Sequence, residues 1–180
     1  MVAFTSIAIT AAALFSSVSL AAPSAPPSTG VIHRIFAGSK VENGGLHFEP
    51  QNVVAEIGDL IEFHFLPKNH SVVQSSFDEP CKPLQNGVFS GFNFPTKEGE
   101  APDVFVFTVL DKKPFWYYCS QTAGNHCQMG MAGVINQNFD GQATLAAYKE
   151  KAKLTGTSIS PALPVNEKEI GGDIVPNKPL

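Results

Sequence analysis

Between Cys119 and Met131 the chain carries two cysteines, an imidazole and two thioethers, in Cys119, Cys127, His126, Met129 and Met131. Thiolate and thioether sulfurs are soft donors that favour Cu(I), whereas imidazole accepts copper in either oxidation state. Two imidazoles and one thiolate close to a plane, with a weak axial thioether, let copper change charge with little rearrangement. One loop supplies three of these donors, so the fourth must come from another segment. His70 is the best placed, opening a strand-like run after the turn signal Pro67-Lys68-Asn69. His33, His47 and His64 are read as ordinary structural or exposed histidines, and Met129 as loop packing or a neighbour of the site.

Whether Cys119 is free to bind metal depends on its two fellow cysteines, Cys81 and Cys127. The first 21 residues carry no charged side chain and include an apolar run over 4–20, with Ser19 and Ala21 placed like a signal-peptidase site. A secreted chain favours disulfides, and three cysteines leave one thiol over. Pairing Cys81 with Cys127 closes a long span, worth about 4 kcal/mol in chain entropy, and leaves Cys119 free beside His and Met donors. Pairing Cys119 with Cys127 instead would remove the site altogether. On the residues alone both pairings stand open.

The elements that would hold these donors are short strands. Segments 31–37, 46–48, 53–57, 60–66, 71–76, 104–110, 115–119 and 132–135 alternate or run apolar between turn signals such as Asn43-Gly44-Gly45, Gly58-Asp59 and Asp111-Lys112-Lys113-Pro114. In 60–66, Ile61, Phe63 and Phe65 share one face and Glu62 and His64 the other. Short strands with turns at such intervals predict an antiparallel sandwich. The charged fraction of 16% and the 14 Phe suit a β-rich core better than a helical bundle. Segment 77–102, rich in Pro, Gly and Phe, is expected to be a packed excursion over one end of the sandwich. A helix is expected over 141–153, N-capped by Asp140, followed by a Pro-containing tail from Ser158 that reads as extended or disordered.

Taken together, Ile57-Gly58-Asp59-Leu60-Ile61-Glu62-Phe63, Asn69-His70-Ser71-Val72, Cys119, His126-Cys127 and Gly130-Met131 resemble the cupredoxin family. The likeness is to plant phytocyanins and to secreted fungal cupredoxin-domain proteins, the extracellular serine-rich proteins, and covers 31 to about 136. The resemblance implies an all-β, cupredoxin-like Greek-key sandwich with a short C-terminal helix and extended tail. It also implies one type 1 copper held by His70, Cys119, His126 and Met131, and a Cys81–Cys127 disulfide, because in phytocyanins the Cys after the second His ligand is disulfide-bonded. Six residues separate Cys119 from His126, a longer loop than in most relatives. Ser71, a shorter donor, stands where the family usually has Asn, and the tail lacks the Ser-rich, lipid-anchored stretch common among relatives.

The domain plan that follows is a signal peptide over 1–21, a Pro-rich linker over 22–30, a cupredoxin domain over 31–138, a helix over 139–156 and a tail over 157–180. The expected product is a secreted, extracellular, monomeric copper protein without a membrane anchor, passing electrons to a redox partner or acting at an extracellular surface. The alternative is an interaction module of the same fold without copper, for which Phe89, Phe92 and Phe94 would form a contact patch if exposed. A net charge of −4 with no Lys/Arg run argues against nucleic acid. Paired His-x-His motifs and an N-terminal His at the expected mature start are both missing, so copper oxidase and monooxygenase chemistry are not expected, and the protein is read as no enzyme. The sequon Asn69-His70-Ser71 would place a glycan beside the copper and is expected to go unused.

Overall fold

The computed structural model describes residues 30–38 and 45–178. The expected leader, all of the linker but Gly30, and the Asn43-Gly44 part of the first turn lie outside the described residues. Among the described residues the strands are β1 (Ile32–Ala37), β2 (Phe48–Glu49), β3 (Asn52–Val53), β4 (Leu60–Phe65), β5 (Val73–Ser75), β6 (Asp103–Thr108), β7 (Phe115–Tyr118), β8 (Ala132–Ile135) and β9 (Asp173–Pro176), with one helix, α1 (Leu145–Lys153), before β9. They form two sheets, in the orders β2-β1-β4-β6-β9 and β3-β8-β7-β5. The all-β sandwich expected from the alternating pattern is therefore present.

The sheets are mixed rather than wholly antiparallel. β1 runs parallel to β4 over Ile32↔Leu60 to Ala37↔Phe65, and β3 parallel to β8. The reason is the crossing at 50–51, where the chain leaves the first sheet after β2 and enters the second at β3. Once a strand changes sheet, its successor need not be its hairpin neighbour, and strands running the same way come to lie side by side.

Between the sheets, Ile35, Ile61, Phe63, Phe65 and Phe105 from one side meet Tyr117, Val72 and Ile135 from the other. Phe48 and Phe63 both pack edge-on against Tyr117, with centroids 4.9 and 5.3 Å away. Tyr117 alternates with Trp116 and Tyr118, which face away from that core yet are also buried. The second face is covered by α1: Tyr148 lies flat on Trp116 at 5.3 Å and hydrogen-bonds Ser75 at 2.6 Å. Hence Trp116, Tyr117 and Tyr118, three of the four aromatic residues of β7, are internal, where alternation alone assigns only one face to a core.

One local expectation is corrected and one is narrowed. The helix starts at Leu145 and is capped by the Thr144 hydroxyl, which accepts from the Ala147 amide, not by Asp140. The segment beyond Ser158, read as extended or disordered, contains an extended strand docked on the sandwich. Asp173–Pro176 adds an antiparallel edge strand to β6, and Ile170 pairs with Phe89. Short apolar stretches between prolines do not register as a strand locally, but an open sheet edge supplies backbone partners for them. The 77–102 excursion is packed as expected. Phe94 is stacked on Phe65 at 4.0 Å, Phe89 is buried and Phe92 is half-buried, so the three do not form the exposed patch that the copper-free alternative required.

Replacing Tyr148 by Ala is expected to cost about 3–5 kcal/mol, as for other buried aromatic truncations. Val165, which is exposed, should tolerate Ala within about 0.5 kcal/mol. Chemical denaturation of both variants measures this, and equal midpoints would mean that α1 contributes nothing to the sandwich.

Candidate metal centre

The site is built where β5, β7 and β8 begin or end at one pole of the second sheet. Tyr118 is paired with Val73 on one side and with Ala132 on the other. Cys119 therefore leaves β7 exactly one residue beyond both pairs, flanked by the 70–72 approach to β5 and by Met131. The Cys119 amide donates to the Met131 carbonyl at 3.0 Å, closing the 119–131 loop at its base. Within it, the His126 amide donates to Gln121 at 3.2 Å and the Met131 amide to His126 at 2.9 Å, so the long spacing is taken up in turns. Asn125 adopts a φ of 52°, a left-handed conformation that Asn tolerates.

This scaffold brings His70, Cys119 and His126, all buried, to within 4.8 Å of one another by their donor atoms, the one such group among the described residues. The two Nδ1 atoms are 3.2 Å apart, and Cys119 Sγ lies 3.4 Å from His126 Nδ1 and 3.9 Å from His70 Nδ1. Nitrogen and sulfur donors bound at about 2.0 and 2.3 Å in a trigonal plane sit about 3.5 Å (N to N) and about 3.7 Å (N to S) apart. The observed triangle fits a single copper-sized ion. Met131 is fully buried in the same apolar cluster as Cys119. Met129 is exposed.

Burial acts in opposite senses on the imidazoles and on the thiol. Burial, reinforced by repulsion from His126 and Lys68, lowers His70 to about 4, outweighing a small opposing effect of the Pro67 backbone. His126 falls to about 4 for the same main reason, with Lys68 second. Burial pushes the Cys119 thiol up to about 11, against hydrogen bonds from the Gln121 backbone and from Ser71. At neutral pH both imidazoles are thus ready to coordinate, and only the thiol has a proton to give up on binding a cation.

Around the donors, Ser71 does what its short side chain left in question. Its amide lies 3.4 Å from Cys119 Sγ and its hydroxyl 3.9 Å. The residues that sequence reasoning missed are supporting ones. Ser120 hydrogen-bonds Ser71 at 3.0 Å. Gly38, at φ +105°, lies so close that a Cβ there would sit 2.9 Å from His70 Nε2. A glycine after a β-branched strand announces a turn, and nothing local says that a histidine ring 32 positions later packs on it.

Cys81 and Cys127 are disulfide-bonded and Cys119 is free. The other histidines lie away from the cluster: His33 pairs with Asp59 at 2.7 Å, and His64 bridges Glu62 and Glu100 at 2.6 and 2.8 Å. Ser71 of the sequon is wholly buried.

No family model matches the chain. Among curated proteins it is 36% identical over 121 residues, 67% of its length, to "Probable GPI-anchored cupredoxin-1" of Arthroderma benhamiae. It is 38% identical over 122 residues, again 67% of its length, to "Extracellular serine-rich protein" of the same organism. The chain covers 60% and 46% of these two relatives. It is also 32% identical over 135 residues to pseudoazurin of Paracoccus pantotrophus, in a match that spans 72% of this chain and 81% of that protein.

Two outcomes follow from the geometry. Gly38→Ala should weaken metal uptake about 10–100-fold, in the range of other changes that displace a ligand's support; competition against a chromophoric chelator reads this, and an unchanged affinity would mean that His70 is positioned without Gly38. The second concerns acid. Both imidazoles titrate near 4 when folded against an ordinary 6.5, so between these values the unfolded chain binds more protons. Stability is complete above pH 6.5 and is lost as pH falls toward 4. The metal-free protein's urea midpoint should drop between pH 7 and 4.5, and drop less in a His70→Asn/His126→Asn variant; equal drops would show that other groups govern acid unfolding.

Proposed function

The chain belongs to the cupredoxin family, and from that premise we propose that it is a type 1 copper protein that transfers single electrons or carries copper outside the cell. One observation carries the reading: two imidazole Nδ1 atoms and one sulfur, all buried, converge within 4.8 Å. His70, Cys119, His126 and Met131 would hold the ion. Copper, when bound there, supplies a centre that alternates between Cu(I) and Cu(II).

The protein's own work is to keep that donor set in place through both states. The strand register holds Cys119 and His70, the loop turns hold His126, and burial excludes water. His126, slightly exposed where the other two are sealed, is the edge through which electrons would pass to a partner at that pole. A cavity of about 510 Å³ lies toward the other pole, lined by Phe107, Leu110, Phe115 and Trp116 among others, and none of the four donors lines it. In this reading the centre serves electron or copper transfer, without turnover of a substrate, in a protein acting as a monomer.

Two of the relatives are named for a lipid anchor and for an extracellular location. The Cys81–Cys127 bond also belongs to an oxidising compartment. We therefore place this protein outside the cell, secreted or held at the surface, where its partner would be a redox protein or an extracellular surface.

Adding one equivalent of Cu(II) to the mature protein should give an intense blue thiolate-to-copper band, absent from Cys119→Ser. A wild type that stays colourless with a titratable free thiol would overturn the copper reading.

A further inference from the structure

The segment that follows α1 is attached to the metal centre at three places. Gln128, inside the ligand loop between Cys127 and Met129, donates to the Thr155 hydroxyl and the Gly156 carbonyl and accepts from the Ser158 hydroxyl at 3.1 Å. The Ile159 amide donates to the Cys81 carbonyl at 3.0 Å, beside the disulfide. The Ile159 carbonyl accepts from the hydroxyl of Tyr118, the residue just before Cys119. These contacts set the exposed Ser160 at the mouth of a buried row of hydroxyls. Its Oγ is 2.7 Å from that of Ser120, which is 3.0 Å from that of Ser71, which is 3.9 Å from Cys119 Sγ. Ser120 is 1% exposed, and Ser71 and Cys119 are fully buried.

Each hydroxyl has one hydrogen to donate, which gives the row a direction. If Ser71 donates to sulfur, its oxygen must accept, and two donors are aimed at it: the Ser120 amide at 3.1 Å and the Ser120 hydroxyl. Ser120 has then spent its hydrogen and accepts in turn from Ser160, whose exposed oxygen is satisfied by water. In such a chain each bond polarises the next. Hydrogen bonds to a metal-bound thiolate draw electron density from sulfur and so favour the reduced metal, a recognised lever on the potential of copper–thiolate sites.

We infer that Ser160 is a positioning residue of the metal centre, the outer member of a Ser160–Ser120–Ser71 hydroxyl chain that directs hydrogens toward Cys119 and raises the potential of copper bound there. This rests on the copper reading of Cys119 but assigns a role to a segment outside the ligand loop. The segment after the helix becomes a working part of the site, through one hydroxyl and the three attachments that aim it.

The test compares Ser160→Ala and Ser160→Thr with wild type, in the metal-free and copper-loaded protein. Ser160 is exposed, so neither change threatens folding. In Ser160→Ala the midpoint potential should fall and the thiolate-to-copper band should shift, and Ser160→Thr, which keeps the hydroxyl, should restore both. In the metal-free protein the amide resonances of Ser71 and Ser120 should move in Ser160→Ala and return in Ser160→Thr. A blue wild type whose potential and band are unchanged in Ser160→Ala overturns the inference and leaves the copper reading standing. A colourless wild type overturns the copper reading, and the tuning role with it; unmoved amide resonances overturn the hydroxyl chain whatever the metal does.

Discussion

The pairing of β7 with both of its neighbours is the constraint on which everything else at this pole depends. Val73, Tyr118 and Ala132 lie abreast across three strands, so the next residue along β7, Cys119, falls between Val72 at one side and Met131 at the other, with the Ser71 amide 3.4 Å from its sulfur. A slip of one residue would turn every β7 side chain to the opposite face. Tyr117 would leave the space between the sheets and Trp116 would leave the helix. The register is defended by aromatic packing on both faces at once, with Phe48 and Phe63 on one side and Tyr148 on the other. The donor geometry is therefore secured by groups that carry no chemistry themselves.

Such security is needed because the site works against the stability of the metal-free fold. Two imidazoles face each other at 3.2 Å in a buried setting, where neither can take up a proton until the solution is well acidic. His70 Nε2 is buried with no hydrogen-bond partner, a cost the surrounding core must offset. The Cys81–Cys127 bond ties the 77–102 excursion to the ligand loop, across 46 positions of sequence. Ile159 pairs with the Cys81 carbonyl, so the same disulfide also anchors the segment beyond the helix. Ligand loop, excursion and C-terminal segment thus meet at one covalent point next to His126.

Much of this was legible in advance where chemistry is local. Strand positions followed from apolar alternation, because a pleated strand shows its buried face at every second residue; β4 and β7 match their expected segments within a residue. Where strands were short the reading overran, as at 53–57, of which only Val53 belongs to β3. The helix start was misplaced because Asp140 and Thr144 are both competent caps, and the choice falls to the one whose helix turns Tyr148 onto Trp116. The parallel pairs, the edge strand β9 and the cover over Trp116 had no local signal, since each depends on which chain segment reaches an open partner.

Composition and spacing by themselves determined which atoms could bind metal: two cysteines, one imidazole and two thioethers clustered in 119–131, with His70 as the outside donor, because donor softness belongs to the residue type. They also limited the cysteine pairings to a choice with a clear consequence for Cys119. Only the tertiary structure decided that choice, and only it brought His70 and His126, 56 positions apart, to 3.2 Å. It alone brought Gly38 against the His70 ring and lined Ser120 and Ser160 up behind Ser71. The physical reason is that ligand identity is written in single residues, whereas a coordination triangle and its hydrogen bonds exist only once the strands carrying them are held side by side.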